Sequence, residues 1–168
     1  MLFFGRVLAY TGMLENKEVT WFPSYGAEIR GGTANCTVII SDELIGSPIV
    51  TNPDILIVMN EASLKKFQAK LRQKGLLIFD SSLIKDPELR KDIEIVRVPA
   101  TEISNAIGNA KSANMVLLGA FIGKTKLLEK EHTFDALEDI VPERRMKSIG
   151  VNKKAIIEGM KFIEDKKG

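Results

Sequence analysis

The fold of this chain is decided by Asp54-Ile55-Leu56-Ile57-Val58-Met59-Asn60 and, sixteen positions on, by Leu76-Leu77-Ile78-Phe79. Both stretches are continuous apolar runs, without the alternation of a strand that has one wet face. Such runs are typical of strands covered on both faces of a parallel sheet. Parallel neighbours need a crossover between them, so the residues that separate the two runs are expected to hold a helix.

The intervening residues carry the signals of that helix. Asn60 can cap its start, because a side-chain oxygen there can accept from a backbone N–H of the first turn. Gly75 can end it in the left-handed conformation that often closes helices. The inward stripe is expected to be Leu64, Phe67 and Leu71, which recur at helical spacing.

The same reasoning extends in both directions. Residues 93–98, closed by Pro99, predict a third buried strand. Residues 17–22 and 33–41 predict two further strands, without the continuous apolar character of the buried ones. Residues 33–41 alternate apolar and polar side chains, which indicates a half-exposed antiparallel strand. Further helices are predicted over residues 2–15, 101–107 with Thr101 as cap, 111–122, 134–140, and from Asn152 to 166. The result is an α/β fold: one layered, mostly parallel sheet with helices on both faces and an antiparallel edge strand.

Composition narrows the function classes. At 168 residues the chain predicts a single domain over 1–168, and a net charge of +2 gives no case for nucleic acid or membrane partners. The single cysteine, Cys36, excludes an internal disulfide and any cysteine-ligated cluster built by this chain alone. Cys36 is expected to be a buried, inert thiol, and His132 a surface residue between helices. The expected location is the cytoplasm.

Cofactor motifs are missing from the sequence. It has no Gly-x-Gly-x-x-Gly turn, no Walker loop, no Gly-Asp-Gly with a following Asn for thiamine diphosphate and magnesium, and no ferredoxin-type cysteine spacing. Polar residues do follow the strands, and ligands collect at the carboxyl ends of parallel strands. The same residues also suit ordinary turns, so they predict no particular site.

One connection carries a combination of chemistry and backbone freedom. It reads Trp21-Phe22-Pro23-Ser24-Tyr25-Gly26-Ala27-Glu28-Ile29-Arg30-Gly31-Gly32 and joins two strand-like runs. Its glycines permit unusual backbone angles and close approach of a ligand. Arg30 beside two glycines suits an anion contact; equally, Arg30 could pair with Glu28 or with a carboxylate of a partner.

The sequence of this connection resembles that of the gamma subunit of the 2-oxoacid:ferredoxin oxidoreductases, which act on pyruvate, 2-oxoglutarate, 2-oxoisovalerate or indolepyruvate. The similarity continues in Val38-Ile39-Ile40-Ser41-Asp42, in Pro53 to Asn60 and in Asn114 to Ala120, in the family's order and over nearly the whole chain. Family members usually open with a strand and a Gly-Gly-Gln-Gly type turn. This chain begins at the helix that follows, so a first strand and turn are expected to be missing or the protein to be a shortened member.

The resemblance implies an accessory subunit with no catalytic residue, cofactor site or metal site of its own. The complex would convert a 2-oxoacid and coenzyme A to acyl-CoA and carbon dioxide and reduce ferredoxin. Thiamine diphosphate, Mg and iron–sulfur clusters are then expected in partner subunits. The chain itself would lie near the coenzyme A approach or a subunit interface, with these candidate contacts: Ser24, Tyr25, Gly26, Arg30, Gly31 and Gly32.

Two further expectations complete the sequence-based picture. The alternative function, from a different class, is a free-standing α/β ligand-binding or protein-interaction module without a redox role. Association with partners, or as a homodimer of the isolated chain, is predicted through the apolar helix around residues 114–121 or the loop of residues 21–32. The resemblance of residues 20–36 to family members favours 2-oxoglutarate or 2-oxoisovalerate as the oxoacid.

Overall fold

The computed structural model describes residues 1–24 and 34–166 and confirms the α/β class. Helices and strands form where the apolar pattern predicts them, with shifts of a few residues at their ends. The helices are α1 (Leu2–Leu14), α2 (Glu61–Phe67), α3 (Ala100–Ala106), α4 (Ala113–Thr125), α5 (Lys130–Ile140) and α6 (Lys147–Asp165). The strands are β1 (Glu18–Ser24), β2 (Asn35–Ser41), β3 (Ile55–Val58), β4 (Leu76–Asp80) and β5 (Glu94–Val98).

The strands of the described ranges form two sheets. β3, β4 and β5 make a parallel sheet in that order, with Ile55 opposite Leu76 and Leu76 opposite Glu94. β1 and β2 pair antiparallel, with Glu18 opposite Ser41. The antiparallel strand predicted from alternation is therefore present, but it pairs in its own two-stranded sheet instead of forming the edge of the parallel one.

The chain divides into two compact units. The first comprises Met1–Val50 and Thr125–Lys153 and contains α1, β1, β2 and α5. The second comprises Thr51–Lys124 and the chain from Lys154 onward and contains the parallel sheet. The family-level expectation of a single gamma-type domain over 1–168 remains a prediction.

The second unit is built around the middle strand of its sheet. All five residues of β4 are buried. Two buried leucines that follow Asn60, Leu64 and Leu71, pack with Leu77 and Phe79 of β4 and with Val58 of β3. Asn60 caps α2 as predicted, because its side-chain oxygen accepts from Ser63 N at 2.8 Å.

Three predicted helix ends are wrong, because α2 ends at Phe67, α3 begins at Ala100 and α6 begins at Lys147. Gly75 is not in the left-handed region; Lys74 is, with φ of 59°, while Gly75 is small because Leu71 and the Arg72 carbonyl crowd it. Thr101 does not cap α3, since its hydroxyl donates to Asp80. Asn152 lies inside α6, which begins five residues earlier.

The apolar helix α4 is buried within the chain itself. Ten of its residues, Ala113 and Met115 to Gly123, are buried. Gly119 and Gly123 face α6, where a Cβ on Gly119 would lie 1.9 Å from the Ile156 carbonyl oxygen. The helix therefore serves as core, and the prediction that it offers a face to partners is not supported.

Candidate functional site

The base of the candidate loop is fixed by strand pairing. Ser24 is the last residue of β1, is exposed, and lies opposite Asn35, the first residue of β2. The remaining candidate contacts lie outside the described residues: Tyr25, Gly26, Arg30, Gly31 and Gly32. What the structure describes is thus the platform that brings the two ends of the connection side by side.

Close packing on α1 holds that platform. A Cβ on Gly5 would lie 2.4 Å from the Cys36 sulfur, and one on Gly12 would lie 2.9 Å from a Val19 methyl. These distances are shorter than real side chains tolerate, so the two glycines let the ribbon approach the helix. A glycine inside a helix costs about 1 kcal/mol relative to alanine, and this close approach explains why α1 holds two of them.

Cys36 lies in β2, where its sulfur packs against Gly5 of α1. Burial raises the pKa of its thiol, which keeps the group protonated near neutral pH. The thiol lies 3.9 Å from the Met1 carbonyl oxygen, a weak donor contact. The neighbouring Trp21 indole N–H is buried and has no hydrogen-bond partner among the described residues. Cys36 is only half-buried, so the expectation of a buried thiol is met in part, and its inertness stays a prediction.

At the carboxyl end of β4, the polar side chains form hydrogen bonds with neighbouring parts of the fold. The Asp80 carboxylate is fully buried and accepts from Ser82 N at 3.0 Å, from Thr101 N at 3.3 Å and from the Thr101 hydroxyl at 2.5 Å. The Ser82 hydroxyl accepts from Glu102 N at 3.1 Å. These bonds tie the end of β4 to the start of α3, and they leave the polar residues there engaged with the fold.

Polar contacts around Glu15 and around Arg90 were not anticipated from sequence. His132 lies within α5 and is half-buried, with Nδ1 3.4 Å from a Glu15 carboxylate oxygen. The same carboxylate accepts from Glu129 N at 2.6 Å and so caps α5 from the end of α1. Arg90 joins the strand connections, since its guanidinium donates to the carbonyls of Gln68 and Leu71 and pairs with Asp92. Apart from the local Arg90–Asp92 pair, these contacts have no sequence signal of their own, because each depends on distant residues meeting in space.

The described residues were also searched for metal-binding clusters and for membrane-spanning helices. Across residues 1–24 and 34–166, no cluster of His, Cys, Asp and Glu side chains is arranged to hold a metal ion. None of the helices that the structure describes is long and apolar enough to cross a membrane.

The comparisons with known proteins give the family. The family model for pyruvate ferredoxin/flavodoxin oxidoreductase matches residues 1–162. The chain is 36% identical over 143 residues to the 2-oxoglutarate synthase subunit KorC of Methanocaldococcus jannaschii, covering 83% of this chain and 74% of KorC. It is 36% identical over 149 residues to the ketoisovalerate oxidoreductase subunit VorA of Methanothermobacter thermautotrophicus, covering 84% of this chain. The chain belongs to this oxidoreductase family.

One solved structure matches this chain over nearly the full length of both proteins. The gamma subunit of a keto/oxoacid ferredoxin oxidoreductase from Geobacter sulfurreducens superposes with a TM-score of 0.81 at 28% identity, over 98% of this chain and 91% of that one. The VorA relatives are much longer: the chain spans 31% of the length of the Methanothermobacter thermautotrophicus protein and 25% of that from Methanothermobacter marburgensis.

Proposed function

We propose that this chain is the gamma-type accessory subunit of a complex that oxidatively decarboxylates a 2-oxoacid. The observation that carries the proposal is the near-complete match to a solved gamma subunit, with the family model spanning residues 1–162. In the balanced reaction, a 2-oxoacid, coenzyme A and two oxidised ferredoxins give acyl-CoA, carbon dioxide, a proton and two reduced ferredoxins. The relatives named for ketoisovalerate and for 2-oxoglutarate are equally similar, so the proposal names the 2-oxoacid class.

The division of labour within the complex follows from chemistry. Decarboxylation of a 2-oxoacid needs a cofactor that stabilises the carbanion, and the two electrons need a carrier. We place thiamine diphosphate, Mg and the iron–sulfur clusters in partner subunits, because the sequence holds one cysteine and no motif for the others. This chain would act in the cytoplasm as a structural and substrate-approach subunit, working as one gamma-type domain.

The isolated chain is expected to show no oxidoreductase activity, with its partners restoring it. The test is to purify the chain alone and together with the other subunits, and to assay 2-oxoacid- and coenzyme A-dependent reduction of ferredoxin in both. Activity should appear only in the complex, along with iron–sulfur absorbance. Stoichiometric cluster or flavin absorbance in the isolated chain would contradict the assignment, as would a complete complex that works equally well without this chain.

The loop between β1 and β2 is the proposed coenzyme A approach. Arg30 would contact a phosphate, supported by Gly31 and Gly32, while Ser24, Tyr25 and Gly26 would line the approach or an interface. The support is the residue chemistry: guanidinium groups suit phosphate oxygens, and glycines let a backbone come close. The paired ends at Ser24 and Asn35 would anchor this loop on the β1–β2 ribbon.

Arg30→Ala should raise the Michaelis constant for coenzyme A of the assembled complex about tenfold or more. Loss of a hydrogen bond to a charged group costs roughly 1.5–3 kcal/mol, whereas an exposed side chain that makes no such contact changes stability by about 0.5 kcal/mol or less. The matched control is Arg144→Ala, which removes the same group from an exposed position. An unchanged Michaelis constant for coenzyme A would assign Arg30 to a pair with Glu28 or with a partner.

A further inference from the structure

Two glycines of α1, Gly5 and Gly12, stand on the same face of the helix, about two turns apart. At each of them the β1–β2 ribbon comes closer to the helix than a Cβ atom would allow. Both contacts belong to the first compact unit, but they fall at opposite ends of the ribbon. Their effects on the candidate loop, which leaves the ribbon after Ser24 and returns at Asn35, can therefore be separated.

Gly5 lies where one residue from each strand of the ribbon meets α1. A Cβ at this position would lie 2.4 Å from the Cys36 sulfur on β2, and 3.0 and 3.3 Å from Nε1 and Cδ1 of Trp21 on β1. The indole is a rigid ring, and a single torsion joins the cysteine sulfur to the backbone, so neither group can fold away as a long flexible side chain could. An added atom at Gly5 therefore pushes on both strands.

The Gly5 contact is next to the two ends of the candidate loop. Asn35 is the first residue of β2 and directly precedes Cys36. On β1, Ser24 is the last residue and is the cross-strand partner of Asn35. One step along the strand, about 3.3 Å, therefore separates Cys36 from the pair at which the loop leaves the ribbon. Because packed protein interiors transmit strain, a shift of the backbone at Cys36 reaches the loop ends with no residue in between.

The Gly12 contact lies at the other end of the ribbon. A Cβ on Gly12 would lie 2.9 Å from Cγ2 of Val19 and 3.3 Å from two carbons of the Ile40 side chain. Val19 and Ile40 are cross-strand partners, and Ser24 follows five residues after Val19. Replacement of Gly12 by alanine would thus disturb the same kind of packing, on the same helix, far from the loop ends.

We propose that Gly5 is a positioning residue for coenzyme A binding by the assembled complex. Because Gly5 has no side chain, Trp21 and Cys36 pack directly on α1, and this contact sets where the two ends of the candidate loop stand. The inference rests on the proposed function, in which this loop forms the coenzyme A approach. Gly5 touches no substrate and acts only through the ribbon. A displacement of about 1 Å is enough for such an effect, since it can lower a rate roughly 100-fold.

The test compares Gly5→Ala with Gly12→Ala in the complex assembled with its partner subunits. Both variants gain the same helix propensity and overpack the contact between helix and ribbon, so thermal stability should fall in both. Gly5→Ala should raise the Michaelis constant for coenzyme A about fivefold or more, with kcat within about twofold of the wild type, because binding is what changes. Gly12→Ala, the matched control, should leave that Michaelis constant unchanged.

Removal of the cysteine sulfur provides a rescue that a merely structural role would not predict. In Gly5→Ala/Cys36→Ala the new methyl group takes up space that the sulfur leaves, so the Michaelis constant for coenzyme A should return to that of Cys36→Ala alone. Gly5→Ala/Val19→Ala, which makes room at the other end of the ribbon, should give no rescue. If Gly5→Ala does not assemble, Trp21→Phe loosens the same contact without an added atom and should also raise the Michaelis constant.

Three results would overturn the inference. They are an unchanged Michaelis constant for coenzyme A in Gly5→Ala (or in Trp21→Phe, where that variant replaces it), an equal rise in Gly12→Ala, and an equal rescue by Cys36→Ala and Val19→Ala. Failure of the proposed function looks different, because ferredoxin reduction would then be independent of this chain in the wild type as well as in the variants.

Discussion

Gly159→Ala should lower the free energy of unfolding by about 3 kcal/mol, the upper end of the cost of overpacking a core. A Cβ at position 159 would lie 2.0 Å from the Val116 carbonyl oxygen and 2.9 Å from the Ala120 nitrogen, both backbone atoms of α4. Backbone cannot move aside as a flexible side chain can, so α4 and α6 would have to separate. The measurement is urea unfolding followed by circular dichroism.

The same helix provides the control for this substitution. At Gly150 an added Cβ meets nothing within 4 Å, so Gly150→Ala should stabilise the chain by up to about 1 kcal/mol through helix propensity alone. Gly119→Ala should behave like Gly159→Ala, because its Cβ would meet the Ile156 carbonyl oxygen in the reciprocal contact. If the alanine variants at 119 and 159 were as stable as the one at 150, the close contact between α4 and α6 would not exist.

This contact shows what apolar patterning reveals and what it leaves open. The run of residues 113–121 predicts a buried helix, and α4 is buried. Pattern alone does not say whether the covering surface is the chain itself or a partner, since both remove the same side chains from water. The covering surface is α6, which can approach α4 because Gly119 and Gly159 lack side chains. From sequence alone, a glycine in a helix indicates only a lower helix propensity.

In the candidate site, too, local patterns predict the strands, whereas contacts between distant residues could not be predicted. The strand pair that carries the loop is predicted from alternation in residues 33–41, and β2 covers Asn35–Ser41. Contacts that join distant residues, such as Glu15 capping α5, leave no local signal, because spacing along the chain does not encode them. The Gly75 and Thr101 predictions were wrong for a related reason. Each residue suits a helix end locally, but α2 ends at Phe67, before the chain reaches Gly75, and the Thr101 hydroxyl donates to Asp80.

Asp80 has a signal in the sequence but needs the structure for its interpretation. A carboxylate directly after an apolar strand suggests a ligand site at the edge of a parallel sheet. In the fold its side chain is fully buried and accepts hydrogen bonds that join the end of β4 to the start of α3. Three donors converge on it, and two of them belong to Thr101.

Asp80→Ala should therefore destabilise the chain by up to about 3 kcal/mol, since it leaves the part-buried donors of Ser82 and Thr101 without an acceptor, at about 1–3 kcal/mol for each unsatisfied buried group. Asp80→Asn keeps one side-chain oxygen and should cost clearly less. Thr101→Val removes the hydroxyl that donates to Asp80 at 2.5 Å. In a double-mutant cycle, Thr101→Val should cost less in the Asp80→Ala background than in the wild type, because the shared bond is already lost. Strictly additive losses, measured by urea unfolding, would mean that Asp80 and Thr101 act independently and that the carboxylate does not hold α3 to the end of β4.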